Sequence, residues 1–242
     1  MFAGPQIRVY PTQRLPRDVE AQVQDLLARR FLSGGTRAVG LSELTRRYPS
    51  LAVRLSGAGE VRGVLGVGHC AMDGGHAVVL GALALQPGYH ESHELFLCAF
   101  REALWLWLRN PARRICVVGA THDPFAYAGI VRGLARVYPT TEVPALEDRL
   151  REAIGACLAR YLGVERLRGA NPDLLLFRGP SVALEREPDS RDPLLRYFQL
   201  ANPGFRAGER LGFVIPCVLP NIARSVFRGT GGRAPRPALA DR

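Results

Sequence analysis

The sequence predicts an α/β fold built on a mixed, largely antiparallel sheet, and three observations carry that prediction. Amphipathic helical segments and short apolar runs alternate along the 242 residues. Met72-Asp73-Gly74-Gly75 joins two Val-, Leu- and Gly-rich runs with a D-G step, the chemistry of a tight antiparallel hairpin. The run RICVVGA at 114–120 is apolar without alternation, as in a strand covered on both faces.

The elements follow in order. Residues 7–10 (IRVY) form a short strand stopped by Pro11. Residues 17–31 form a helix: Val19, Val23, Leu26, Leu27 and Phe31 line one stripe, Asp18 and Glu20 occupy the dipole-favoured first turn, and Gly34-Gly35 ends it. A helical turn is expected at 42–48. Strands are expected at 51–56, 61–70 and 76–85, the last broken by Gln86-Pro87-Gly88-Tyr89. Residues 91–108 are helical and apolar almost all round, which predicts a helix in the middle of the protein with Trp105 and Trp107 in the core. After the 114–120 strand come helices at 125–137 and 145–162, strands at 174–177 and 211–219, and between them a helix at 194–200. The last residues, GTGGRAPRPALADR at 229–242, have the composition of a disordered basic tail. A single domain over 1–228 is expected, with a core at 7–178 and a C-terminal extension at 179–228 that adds to the sheet.

Composition narrows the function classes. The net charge is +10, and all 32 basic residues are Arg. Such an excess favours an acidic partner. Nucleic acid is disfavoured, because the arginines are spread over nearly the whole chain and no recognition helix, zinc finger or aromatic-basic stripe accompanies them. Five cysteines stand singly in apolar segments and read as buried structural thiols; with no ligand spacing among Cys, His and carboxylates, no metal is expected. No run of about 18 apolar residues predicts a transmembrane segment. The start MFAGPQIRVYP lacks the basic and apolar regions of a signal peptide, so a cytoplasmic location is expected.

Two local sequences carry a family resemblance. Leu85-Gln86-Pro87-Gly88-Tyr89-His90 is similar to the end of the fourth strand in the GNAT acyltransferase superfamily, where an apolar-x-Pro-x-Tyr-Arg pattern precedes a Gly-rich turn into a helix. RICVVGATHDP, followed by a helix finishing in ARVYP, resembles the next strand and helix. By element order the resemblance covers roughly residues 7–139 and, more loosely, the rest. It implies a GNAT-like fold and transfer of an acyl group from a thioester to an amine. No cofactor would be bound permanently; acyl-CoA or a phosphopantetheine-bound acyl group would be the donor substrate. The chain departs from the pattern at His90-Glu91-Ser92-His93-Glu94-Leu95, which lacks both glycines of the pyrophosphate turn and puts Glu91 and Glu94 where phosphate would dock. With the +10 charge, that departure points to an acidic acyl carrier protein as partner, and to the carrier-using, long-chain type of N-acyltransferase in specialised metabolism.

The implied site lies between two strand ends. Leu83, Ala84, Leu85 and Gln86 would hold the pantetheine arm and polarise the thioester carbonyl. Tyr89, His90, Ser92 and His93 would meet the carrier or coenzyme A phosphate at a helix N-terminus, the alternative being a capped helix with solvated histidines. Tyr127 stands near the position of the Tyr that protonates the leaving thiolate in the family, while Ile130 or Val131 occupies that position itself. Thr121, His122 and Asp123 form the best-placed polar cluster. His122 would accept the amine proton and Asp123 would orient it, unless Asp123 before Pro124 simply caps the next helix. The missing glycines and tyrosine also leave open a non-catalytic GNAT-like module that binds an acylated carrier or a partner protein.

Overall fold

The computed structural model describes residues 6–31, 40–86, 93–142, 145–167, 171–179 and 187–221. One eight-stranded sheet organises them, in the order β1-β2-β3-β4-β5-β8-β7-β6. The strands are β1 (Gln6–Pro11), β2 (Ser50–Leu55), β3 (Val61–Met72), β4 (Gly75–Leu85), β5 (Arg114–Thr121), β6 (Arg166–Leu167), β7 (Leu176–Phe177) and β8 (Arg210–Pro216). Every neighbouring pair is antiparallel except β4 and β5, which run parallel. A parallel pair needs a crossover. Here it is α3 (His93–Arg109). The mixed, largely antiparallel sheet expected from the sequence is the sheet found.

Side-chain alternation along the strands sends apolar residues to both faces. On one face, Ala52, Leu65, Val67, Val78, Leu80, Val117, Phe213 and Ile215 meet α3. The same face carries α4 (Pro124–Gly133) and α6 (Pro193–Ala201), joined through Tyr127, Leu176, Phe198 and Leu211. On the other face, α1 (Arg17–Phe31) and α2 (Leu41–Arg47) pack Val23, Leu27 and Leu44 on Leu51, Val53, Val64 and Ala84. Beside them α5 (Asp148–Leu162) packs Ile154, Cys157 and Leu158 on Ala77, Val79, Val118 and Val214. The C-terminal segment does more than lengthen one edge. β8 lies directly against β5, and the Phe213 ring sits on Gly119, where a Cβ would come within 2.5 Å of it.

Several expectations need correction. Helix α3 is not central: it covers one face of the sheet, with Trp105 55% and Leu108 58% exposed, and Arg109 lies over the Trp105 ring at 3.9 Å. Its outward positions Arg101, Trp105, Leu108 and Arg109 are all exposed, so an apolar sequence does not place a helix inside when arginines interrupt one face. Trp107 is half-buried against the core. Helix α4 ends at Gly133, short of 137. Asn221, fully buried, accepts hydrogen bonds from the Ala135 and Arg136 N–H groups at 2.8 Å and donates to the Arg136 carbonyl, taking over the backbone that would have continued the helix. The strand expected at 211–219 stops at Pro216, which has no N–H to donate. Cys116, Cys157 and Cys217 are buried, and burial pushes the Cys116 thiol up to about 12; Cys70 and Cys98 are only half-buried. The 229–242 tail and Gly34-Gly35 lie outside the described residues.

Candidate active site

The parallel ladder between β4 and β5 runs from Gly75↔Arg114 to Val79↔Val118 and stops there. Both strands continue, β4 to Leu85 and β5 to Thr121, each held by its other neighbour. The sheet is therefore split between them at their C-terminal ends. A register irregularity marks the same place: Gly66 pairs with Gly81 and Val64 with Ala84, so Ala82 and Leu83 together oppose Leu65. Two residues against one is a β-bulge, which bends and twists the strand that carries it. Ala82 takes φ = 50°, the only positive φ among the described non-glycine residues. Left-handed backbone is unfavourable for a residue with a Cβ, so strain is concentrated at the mouth of the split.

Around this split the structure places the candidate residues. Leu83 and Leu85 pack toward α3, while Ala82 and Ala84 pack toward α1. The edge of β4 beyond Val79 has no ladder partner on β5, which leaves extended backbone facing a gap. Gln86 is fixed: its side chain donates to the Val61 carbonyl at 2.9 Å and accepts from the Arg62 guanidinium at 2.6 Å. It ties the end of β4 to β3.

On the other lip, Thr121 ends β5 and its hydroxyl oxygen accepts the Asp123 N–H at 3.0 Å. The Asp123 carboxylate accepts the Phe125 N–H at 2.8 Å, and Pro124 occupies the first helical position, so Asp123 caps α4. His122, half-buried, stands between them. Tyr127 is fully buried beneath, its hydroxyl donating to the Pro139 carbonyl, and burial pushes its pKa well above the ordinary tyrosine value. A ring so placed fits support of the lip better than contact with a substrate. Tyr89, His90 and Ser92 lie outside the described residues; His93 opens α3, but its side chain is not among those described. His69 lies on β3 opposite Val78, on the hairpin side of the point where the β4–β5 ladder ends, and pairs with Glu102 at 2.9 Å.

Sequence reasoning missed three polar groups on these elements. Arg54 of β2 is only 3% exposed, paired across the ladder with Gly63, whose own Cβ position touches Leu85 and Leu95. Tyr48 and Arg210 lie on the opposite face. A buried arginine inside an apolar strand is the signal that could have flagged Arg54.

A capping role for Asp123 has a measurable consequence. Asp123→Asn keeps the side-chain acceptor and should leave thermal stability nearly unchanged, whereas Asp123→Ala should cost about 1 kcal/mol. Equal melting temperatures for the two variants would show that the cap contributes nothing.

Fold and split together define an α/β domain with one parallel strand pair that parts at its C-terminal ends. No family model matches the chain, and no curated protein matches it. Solved structures similar to it include a GNAT family N-acetyltransferase (YhbS) from Escherichia coli in complex with CoA, 19% identical over 53% of this chain and 68% of that one, with a TM-score of 0.37. The AHL synthase LasI is 11% identical over 91% of this chain and 93% of that one, at a TM-score of 0.47. The GNAT-like decarboxylase GphF in complex with isobutyryl-CoA is 14% identical over 88% of this chain and all of the other, at a TM-score of 0.43. No helix among the described residues is long and apolar enough to cross a membrane.

Proposed function

We propose that the chain is an N-acyltransferase that moves an acyl group from a thioester to an amine at the β4–β5 split. The observation that carries this reading is the end of the ladder at Val79↔Val118 together with the bulge at Ala82 and Leu83. An acyl-pantetheine arm is an extended chain of amides, and an unpaired strand edge is what such a chain can hydrogen-bond. Backbone N–H groups of Leu83 to Leu85 would polarise the thioester carbonyl. The amine nitrogen attacks that carbon, the C–S bond breaks, and the thiolate leaves. His122 takes the proton released by the amine and can return it to the thiolate.

The donor in this proposal is a carrier-bound medium- or long-chain acyl group rather than coenzyme A. By the family resemblance Glu91 and Glu94 would oppose a pyrophosphate, and the +10 chain favours an acidic carrier. Matched acyl-carrier and acyl-CoA donors, tested against an amine panel by intact mass, should give faster transfer from the carrier, and more so at low ionic strength. Equal rates from both donors without a salt effect would overturn the carrier assignment, and no transfer from either would overturn the enzyme. The second reading, a non-catalytic module that binds an acylated carrier, is favoured by the engagement of Asp123 in a cap and of the Tyr127 hydroxyl with Pro139.

A further inference from the structure

The two helical layers differ in what they show to solvent. Among the described residues the exposed large hydrophobic side chains are Val9, Trp105, Leu108, Leu200 and Leu219, and none of them belongs to α1, α2 or α5. Trp105 and Leu108 continue an outward stripe of α3 that begins with half-buried Leu97 and Leu104, at helical spacing. Arg101 interrupts that stripe, and Arg109 closes it with its guanidinium over the Trp105 ring. Leu219 stands at the same end of the sheet: the Cys217 N–H donates to the Ile115 carbonyl at 2.8 Å, just past the Arg113-Arg114 pair that follows α3.

Charge on this face has one sign. Arg101, Arg109 and Arg113 are exposed, and among the described residues no carboxylate pairs with any of them. The only acid in the C-terminal half of α3, Glu102, is taken by His69. Exposed apolar side chains rimmed by polar ones mark a contact surface. Three occupants fit it poorly. A second copy meeting this face with its own would set arginine against arginine. The chain after Asn221 carries five Arg and one Asp, the same sign as the face. An acidic carrier serving the split must dock at its mouth, which lies at the other end of α3. Leu95 reaches the Gly63 position beside Leu85 at the end of β4, whereas the Arg114 N–H, after the helix, donates to the Gly74 carbonyl at the hairpin. Trp105 is about 18 Å along the helix axis from His93.

We propose that the outward face of α3, with Leu219, is a peripheral docking surface for an anionic lipid bilayer. Indole rings sit at headgroup level, leucines enter the acyl boundary, and arginines reach phosphate while their stems lie along apolar surface. Shallow insertion and basic charge together hold a protein at a membrane that neither would hold alone. The split, at the far end of α3, stays open. The proposal is independent of the acyl-transfer reading, because it is read by partition rather than turnover.

The test floats the full chain with vesicles of phosphatidylcholine alone, or with roughly one third phosphatidylglycerol. The wild type should favour the anionic vesicles by at least about tenfold, less as salt rises. Brominated acyl chains should quench its tryptophan emission, and Trp105→Phe should lose that quenching, since Trp107 is half-buried against the core. Leu108→Ser, and separately Arg101→Gln with Arg109→Gln, should each lower partition by about tenfold. Arg149→Gln with Arg160→Gln, on α5, removes the same charge and should leave partition nearly unchanged. Equal losses in the two double variants would overturn the surface by reducing it to net charge, and so would wild-type emission that bromine does not quench. A wild-type dimer that Leu108→Ser turns into a monomer would give the face to a second copy. Binding of an acidic acyl carrier protein that falls in the α3 variants, with vesicles ignored, would give it to a protein. The quenching carries the test if a variant does not fold.

Discussion

His122→Ala lowers acyl-transfer turnover by about 10²–10⁴-fold while leaving donor binding and thermal stability intact, if His122 is the base. The size follows from the chemistry of the acceptor. An alkyl ammonium with a pKa near about 10 is almost wholly protonated at neutral pH, so a positioned acceptor for its proton is worth that range. The neutral imidazole, with a reference pKa near about 6.5, can do this at working pH. The local geometry sharpens the expectation. The Asp123 carboxylate accepts the Phe125 N–H and caps α4, so Asp123→Asn should cost far less activity than His122→Ala. His122→Asn, similar in size but unable to take up a proton, should not rescue turnover. His69→Ala, near the hairpin and paired with Glu102, should keep most of it. Retention of more than about a third of the rate in His122→Ala, outside the range for general-base catalysis, would remove His122 from the mechanism. The reaction would then proceed by positioning an amine that arrives deprotonated.

Ala82→Val should reduce turnover by at least about tenfold, since misplacing a reacting group by roughly 1 Å can cost about a hundredfold. Ala82 holds φ = 50° inside the bulge that ends the β4–β5 split. A β-branched side chain is a genuine outlier in left-handed backbone, so Val would pull the strand back toward regular extension and narrow the gap. Ala82→Gly is the opposite change. It removes the Cβ that makes this conformation unfavourable, worth about 1–2 kcal/mol, offset by glycine's greater freedom in the unfolded chain, about 0.5–1 kcal/mol. The glycine variant should therefore be at least as stable as the wild type and should keep its activity. Melting curves and steady-state rates on the three proteins settle the point, and a Val variant as stable and active as the parent would show that the bulge is not needed.

Legibility from the sequence followed the range of the interactions. Helix α1 was readable over Arg17–Phe31 because its stripe and its first-turn acids are local. The β3–β4 hairpin was readable from Asp73-Gly74, and Gly74 takes φ = 74° as that turn requires. The run of β5 was readable as doubly covered, and Val117 and Val118 are fully buried. What escaped depends on partners distant in sequence. The length of α4 is set by Asn221, the position of β8 by Phe213 on Gly119, and the exposure of Trp105 by which side of α3 the sheet leaves open. In the candidate site, the strand ends were legible through the family resemblance, whereas the bulge was not, because nothing about an alanine announces a positive φ. Tyr48 was invisible for the same reason as Asn221: it is ordinary alone, and only the fold brings its hydroxyl over Gly81.

The place of β8 has a consequence for synthesis. β5 carries the run RICVVGA and pairs on one side with β4, but its other edge is closed only by Arg210–Pro216, after α4, α5, β6, β7 and α6 have all been made. Until then a growing chain presents an apolar strand edge of the kind that pairs with whatever strand it meets. A ribosome-bound intermediate lacking β8 is thus a natural client for a chaperone. Expression yield should respond more to the speed of translation through the last third of the message than to any substitution in α1 or α2.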